Sequence, residues 1–162
     1  MDWAAVPSPI GPLGVAADDA GIRLVRFTGP VSAPTPNPLL ETAAGELGDY
    51  FAGRRTGFDL PLVVTGGTPF ERAVWSAIAA IPYGETATYG EIAAEVGERD
   101  AARAVGVACN RNPLPIVVPC HRVVGAGGKL VGFGGGLPRK RFLLELEARV
   151  YIERSFTAGS AT

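Results

Sequence analysis

The chain has 162 residues, 47% of them hydrophobic, and a formal net charge of −1. That length suits one domain, or a small lobe beside a medium one, and the apolar content suffices for a real core. No apolar run approaches a membrane span, no basic segment followed by an apolar core opens the chain, and a net charge so near zero does not by itself favour non-specific nucleic-acid binding. A cytoplasmic protein without membrane contact is the expectation. Two cysteines, Cys109 and Cys120, are no disulfide framework, and with a single histidine they cannot supply the four N and S ligands of a structural zinc site. No metal or other cofactor is therefore expected.

Taken in order, residues 1–28 read as strands. Pro9 to Ala16 leads into the hairpin signal Asp18-Asp19-Ala20-Gly21, and Ile22 to Phe27 alternates as a half-buried strand does. Four prolines mark 29–38 as a loop. Apolar residues at 39, 40, 43, 44, 47, 50 and 51 predict a helix that Gly53 stops. Residues 58–64 read as another strand, at an edge because of Pro61. This lobe, residues 1–67, carries four basic and seven acidic side chains and neither Cys nor His, and reads as an α/β scaffold.

Thr65-Gly66-Gly67 is a junction. Thr68-Pro69-Phe70-Glu71 is a capping box with Pro in the first turn, which predicts a helix to about residue 80. Thr88-Tyr89-Gly90-Glu91 offers a second box and a helix ending at Gly97. Asp100 is the expected cap of a third helix, 101–110. Two short helices joined by a glycine turn have helix-turn-helix spacing. Arg103 stands near the start of the second of them, among the small residues Ala101 and Ala102. Asn112-Pro113 ends the helical region. Residues 124–131 read as a turn flanked by strands, Gly132 to Gly136 as a flexible loop, and the last helix opens at Pro138 with Leu143, Leu144 and Leu146 inward and Glu147 on it. Residues 68–150 form the expected second domain, and 151–162 a polar, fraying tail.

The chemistry gathers at Ile116 to Val124. A β-branched run surrounds a proline, the thiol of Cys120, the imidazole of His121 and the guanidinium of Arg122. Such a setting lowers a thiol pKa and activates the thiolate. Residues 101–144 hold seven basic side chains and no Asp or Glu, so the candidate nucleophile lies in a locally positive region. Adjacent residues of an extended strand face opposite ways. Cys120 and His121 can therefore cooperate only through a tight turn or through a bridging water.

Pro119-Cys120-His121-Arg122-Val123 resembles the active-site signature of the 6-O-alkylguanine-DNA alkyltransferases. The similarity extends through Thr68-Pro69-Phe70, Ile81 to Thr86, Thr88 to Ala93, Ala101 to Gly106, Asn110 to Pro113 and Gly132 to Glu147. It covers most of 68–147 in order. It implies a small N-terminal strand-helix lobe and a mainly helical C-terminal domain with a helix-turn-helix and an active-site Cys loop, an α/β (α+β) chain. Zinc ligands that some relatives carry in the first lobe are absent, and Phe133-Gly134 stands where some relatives have Tyr-Ser.

The resemblance implies direct-reversal DNA repair, a suicide methylated-DNA–protein-cysteine methyltransferase acting as a monomer on double-stranded DNA. A flipped 6-O-alkylguanine, or 4-O-alkylthymine, would give its alkyl group to Cys120 in one turnover. His121 would serve as base, and Glu147 would hold the imidazole. Asn112 would fix the turn or cap the helix before Pro113, and Tyr89 would bind the guanine edge and help rotate the phosphate. Lys140 would neutralise the substrate oxygen or meet a phosphate. Arg103 would fill the gap in the stack, flanked by Ala101 and Ala102, with Arg122 also on DNA and Phe133, Gly134 and Gly135 lining the substrate pocket. A Cys–His hydrolase would use Cys120, His121 and Glu147 but leave the helix pair and Arg103 without work. A non-catalytic lesion-binding module would leave the reactive Cys120 without work.

Overall fold

The computed structural model describes residues 1–160. Its internal contacts divide it into two compact units, Met1–Gly67 with Asn112–Val118, and Thr68–Arg111 with the residues from Pro119 onward. A division at residue 67 alone does not anticipate that the segment 112–118 belongs with the first unit.

In the first unit, β1 (Asp2–Val6), β2 (Leu13–Asp18) and β3 (Gly21–Arg26) form an antiparallel sheet in that order. The strand expected over 9–16 starts only at Leu13. Pro9 and Pro12 remove ladder donors, and the chain turns instead, with Gly11 N–H donating to Ser8 O at 3.1 Å. Gly11 takes φ 102°, which favours glycine. Leu13 to Ala17 are all buried, so the central strand is covered on both faces. Small side chains make that possible. A Cβ on Gly14 would lie 2.3 Å from the carbonyl carbon and oxygen of Gly29. α1 (Pro38–Phe51) packs on this sheet. Asn37 starts it, its side-chain oxygen accepting from Leu39 N at 2.8 Å and Leu40 N at 3.3 Å. Leu40, Ala43, Leu47 and Tyr50 recur at helical spacing and are buried. Each large member of that stripe contributes roughly 1.5–3 kcal/mol.

The expected strand 58–64 reduces to one parallel bridge, Ile22 to Leu62. Ile22 N–H donates to Pro61 O at 2.8 Å, and Val63 N–H to Ile22 O at 2.9 Å. Pro61 takes part through its carbonyl because it has no N–H to give.

In the second unit, α2 (Pro69–Ala79) and α3 (Tyr89–Glu95) both start from complete capping boxes, Thr68 with Glu71 and Thr88 with Glu91. Gly97, at φ 82°, lets Glu98 N–H reach back to Ala93 O at 2.9 Å and closes α3. α4 (Ala102–Asn110) follows. Asp100 does not cap it: Ala101 holds the cap position without a side-chain bond, and Asp100 is exposed. The buried indole of Trp75 ties α2 to α4 by donating to Ala108 O at 2.7 Å.

β4 (Ala87–Thr88) and β5 (Val123–Val124) pair in parallel. The turn expected over 124–131 has no second strand. Gly125 N–H instead meets Lys129 O at 2.7 Å around a short helical turn at Ala126–Gly128. α5 (Leu137–Ser160) is longer than expected and takes in most of the segment assigned to a polar tail. Residues 161 and 162 of that tail lie outside the described residues.

The close approach at Gly14 yields a test. Gly14→Ala should lower stability to urea by about 1–3 kcal/mol, the usual cost of forcing atoms into a filled space. Gly45→Ala, in α1 with nothing within 4 Å of the new methyl, should be neutral or stabilising by up to ~1 kcal/mol. Equal stability of the Gly14→Ala variant and the parent would contradict the packing described.

Candidate active site

The segment that delivers Cys120 is built by Asn112. Its side-chain oxygen accepts from Leu114 N at 2.9 Å, and its amide donates to Val118 O at 2.8 Å. Val118 N–H closes the loop on Leu114 O at 2.8 Å. Ile116, buried at 1%, sits at φ 74°, a conformation that a β-branched residue holds only when its surroundings impose it, at roughly 1–3 kcal/mol. The buried amide of Asn112, 9% exposed, replaces the ladder that an extended strand would have supplied.

Cys120–Arg122 is therefore not strand. It is a 3-10 turn, closed by Arg122 N–H on Pro119 O at 2.9 Å. Successive side chains of such a turn project about 120° apart. That removes the opposition of faces which the extended reading imposed on Cys120 and His121. All three side chains of the turn are buried.

His121 has no exposed surface, and its Nε2 lies 2.7 Å from Glu147 Oε2. A carboxylate accepts, so Nε2 carries the proton and Nδ1 keeps its lone pair. Among the described residues, Nδ1 is buried without a hydrogen-bond partner. Arg122, expected on DNA, is 7% exposed and occupied elsewhere. Its Nε donates to Glu147 Oε1 at 2.7 Å, Nη2 to Oε2 at 3.1 Å and Nη1 to Ile81 O at 2.7 Å. Three of its five N–H groups are engaged inside the protein and little of it reaches the surface, so Arg122 does not fit the expected DNA contact.

Burial depresses the His121 pKa below the ordinary imidazole value; Glu147 pulls it up, and Arg122 and Lys140 add to the fall. The imidazole is neutral at neutral pH. Burial alone would raise Glu147, but the hydrogen bonds from His121 and Arg122 and the charge of Arg122 prevail and hold its carboxyl at about 2. Cys109 is a different thiol: burial in α4 pushes it to about 12, so it stays protonated.

Lys140 is wholly buried. Its Nζ donates to Val123 O at 2.6 Å, with Tyr89 Oη and Val131 O at 3.3 Å and Gly132 O at 3.4 Å. It also lies 5.5 Å from the Tyr89 ring centre and 5.9 Å from that of Phe133. Burial lowers its pKa. A phosphate contact, one of the roles open to it, does not fit a side chain without surface. Tyr89 donates its hydroxyl to Val131 O at 2.9 Å, and burial pushes that phenol to about 12.

Beside Tyr89 opens a cavity of about 530 Å³, lined by Tyr89, Ala102, Arg103, Gly106, Val107, Asn110, Val131 and Gly132. Arg103 and Ala102 are at it as expected. Ala101 is not among its lining residues, and lines a separate depression over the α3–α4 turn. Phe133, Gly134 and Gly135 do not line the cavity either. Gly134 comes close to Asn110, and Gly135 is buried with its carbonyl accepting from Arg139 at 2.9 Å. Gly106, Val107 and Asn110 were missed, although their i, i+3, i+4, i+7 spacing from Arg103 puts all four on one helical face. The seven basic residues of 101–144 do not make one surface: Arg122 and Lys140 are buried, and Arg111 pairs with Glu71 at 3.5 Å. Among the described residues no group of three or more His, Cys, Asp or Glu could hold a metal.

The clamp on Glu147 couples the site to stability. A carboxyl at about 2, against 4.5 ordinarily, stabilises the fold above that ordinary value, and the contribution is lost as pH falls toward 2. On the order of 3 kcal/mol should disappear between pH ~5 and ~2. Glu147→Gln should cost about 3–5 kcal/mol near pH 7 by leaving Arg122 buried without its counter-charge, and the gap to the parent should narrow in acid. Urea unfolding across this range checks both; parallel curves would refute the clamp.

Two family models match the chain: 6-O-methylguanine DNA methyltransferase, DNA binding domain, over residues 69–149, and 6-O-methylguanine DNA methyltransferase, ribonuclease-like domain, over residues 1–64. The methylated-DNA–protein-cysteine methyltransferase of Mycolicibacterium paratuberculosis is 50% identical over 155 residues, which cover 92% of this chain and 93% of that protein. Its counterpart from Methanosarcina acetivorans is 48% identical over 154 residues, 91% of this chain and 98% of that one. Among solved structures, Mycobacterium tuberculosis OGT in complex with DNA superposes with a TM-score of 0.85 at 48% identity, covering 93% of this chain and 94% of that chain. The chain belongs to the 6-O-methylguanine DNA methyltransferase family.

Proposed function

We propose that this protein repairs DNA by taking the alkyl group from 6-O-alkylguanine onto Cys120, once per molecule. The observation that carries the reading is the buried Glu147–His121 pair beside a thiol in the same 3-10 turn, with Nδ1 left as an acceptor. A neutral imidazole whose tautomer is fixed by a carboxylate is a general base.

The cycle follows. The damaged nucleotide leaves the stack, and Arg103 on the rim of the cavity takes its place. His121 Nδ1 receives the Cys120 thiol proton, directly or through a bridging water. The sulfur attacks the alkyl carbon in line, an S–C bond forms, and the C–O bond breaks with its electron pair going to guanine. The Tyr89 hydroxyl, protonated at neutral pH and backed by Lys140 at 3.3 Å, offers a proton to the departing base. With Gly134 where some relatives have a hydroxyl residue, that duty falls on Tyr89 and Lys140. The thioether has no second nucleophile to remove it, because Cys109 is buried and protonated. The side chain itself accepts the alkyl group, so the step calls for no cofactor. The protein acts as a monomer on duplex DNA, in the cytoplasm.

Two measurements test this reading. Incubation with a duplex containing 6-O-methylguanine should add one methyl to the intact protein, mapped by peptide mass to Cys120, and Cys120→Ala should take up none. Continued turnover, or a methyl on Cys109, would sink it. Arg103→Ala should slow duplex repair on the order of tenfold to a hundredfold, the effect of losing roughly 1–3 kcal/mol of compensation for unstacking. The same variant should react with the free modified base at the parent rate. Equal losses on both substrates would remove Arg103 from flipping.

A further inference from the structure

Arg122 is a residue that the transfer step does not use, yet it grips the carboxylate that holds the base. Its guanidinium forks onto both oxygens of Glu147, 2.7 Å to Oε1 and 3.1 Å to Oε2, and the same Oε2 receives His121 Nε2 at 2.7 Å. Its remaining arm is anchored on Ile81 O at 2.7 Å, and its plane lies 5.4 Å from the Tyr83 ring centre. Two consequences follow from elementary electrostatics. The fork fixes the plane of the carboxylate, and with it the oxygen that meets the imidazole. The permanent positive charge also cancels that of Glu147, so the imidazole faces a neutral ion pair rather than a bare anion. A bare carboxylate at 2.7 Å would favour the imidazolium, which cannot accept a proton.

We propose that Arg122 is a positioning residue for alkyl transfer, which keeps His121 neutral by neutralising the carboxylate that orients it. This rests on the reading of Cys120 as nucleophile and His121 as base. The charged groups acting on His121 are Glu147 and Lys140 from α5 and Arg122 from its own turn, which also carries the thiol of Cys120. Beyond Arg122 stands Tyr83, with Arg149 and Arg154 of α5 acting on it. Of these, Glu147 favours the imidazolium, whereas Arg122 and Lys140 oppose it. Removing the charge at 122 leaves Glu147 unbalanced, raises the His121 pKa and moves the acid limb of the reaction to higher pH. A lysine at 122 keeps the charge but loses the fork.

His121 is the only histidine in the chain, so its ring resonances identify themselves in an NMR titration. The experiment follows those resonances and the rate of methyl transfer from free 6-O-methylguanine base, from pH 5 to 9, in the parent, Arg122→Gln and Arg122→Lys. The free base avoids any contribution from DNA binding. In Arg122→Gln, the His121 titration and the acid limb should both rise by about one pH unit or more, and the rate should recover toward the parent value at alkaline pH. Arg122→Lys should titrate like the parent and react more slowly at every pH.

A uniform loss of rate in Arg122→Gln with an unmoved His121 titration would overturn the proposal and make Arg122 a packing residue. If Arg122→Gln does not fold, Arg122→Lys decides: a His121 titration raised despite the retained charge overturns the proposal, and a parent-like one supports it. A parent protein that gains no methyl on Cys120 would instead overturn the underlying reading. A parent that reacts with an acid limb that Arg122→Gln leaves in place defeats this proposal alone.

Discussion

A buried carboxylate cannot remain charged without partners, and Glu147 finds them in the Cys turn. His121 and Arg122 share its oxygens at 2.7 to 3.1 Å. Both partners come from one three-residue turn, whereas Glu147 comes from α5, so a single group pins the nucleophile's turn to a long helix. Burying ions is expensive, and good geometry with saturated hydrogen bonding is what offsets it. The rest of the second unit can be read as support for this arrangement. Ile81 ends its segment with a carbonyl placed for Arg122, and β5 leads the chain away from the turn into a ladder. The proton inventory follows: carboxylate charged, imidazole neutral, one ring nitrogen open.

Lys140 plays a similar part for the loop that follows β5. A fully buried ammonium is costly, and here it is surrounded by the carbonyls of Val123, Val131 and Gly132 and by the Tyr89 hydroxyl. It holds the loop after β5 to the start of α3. The loop itself is glycine-rich and has little packing of its own, so a single cation gathering its carbonyls supplies order that side chains do not.

Much of this architecture was legible because local signals were strong. The capping boxes at Thr68 and Thr88 located two helices, and the alternation from Ile22 to Phe27 and the spacing from Leu39 to Phe51 gave the first lobe. Family-like motifs located Cys120, His121 and Glu147. What was not legible depended on contacts distant in sequence. The β-branched run from Ile116 to Val118 has every propensity for strand, yet Asn112 bonds both ends of the segment and forces Ile116 to a positive φ. Arg122 looked like a surface cation because sequence gives charge but not burial, and its acceptor stands 25 residues away. Asp100 does not cap because the helix starts one residue later, at a cap position held by Ala101. The helical face with Gly106, Val107 and Asn110 was within reach of periodicity, but it carries no titratable group to draw notice.

The two-rung ladder between β4 and β5 has a mechanical meaning. Ala87 pairs with Val123 and Thr88 with Val124, so Thr88, the residue that caps α3, is paired two residues beyond the Cys turn. Parallel pairing ties both chains in the same direction, and a slip of one residue would turn side chains to the wrong face. The helix that presents Tyr89 and the turn that presents Cys120 are thus geared together. A displacement of one drags the other, so the spacing between the backbones of Tyr89 and Cys120 is held by main-chain pairing. A reaction whose attacking atom and leaving-group donor must approach one base from fixed directions gains from such gearing, because neither can drift without carrying its counterpart along.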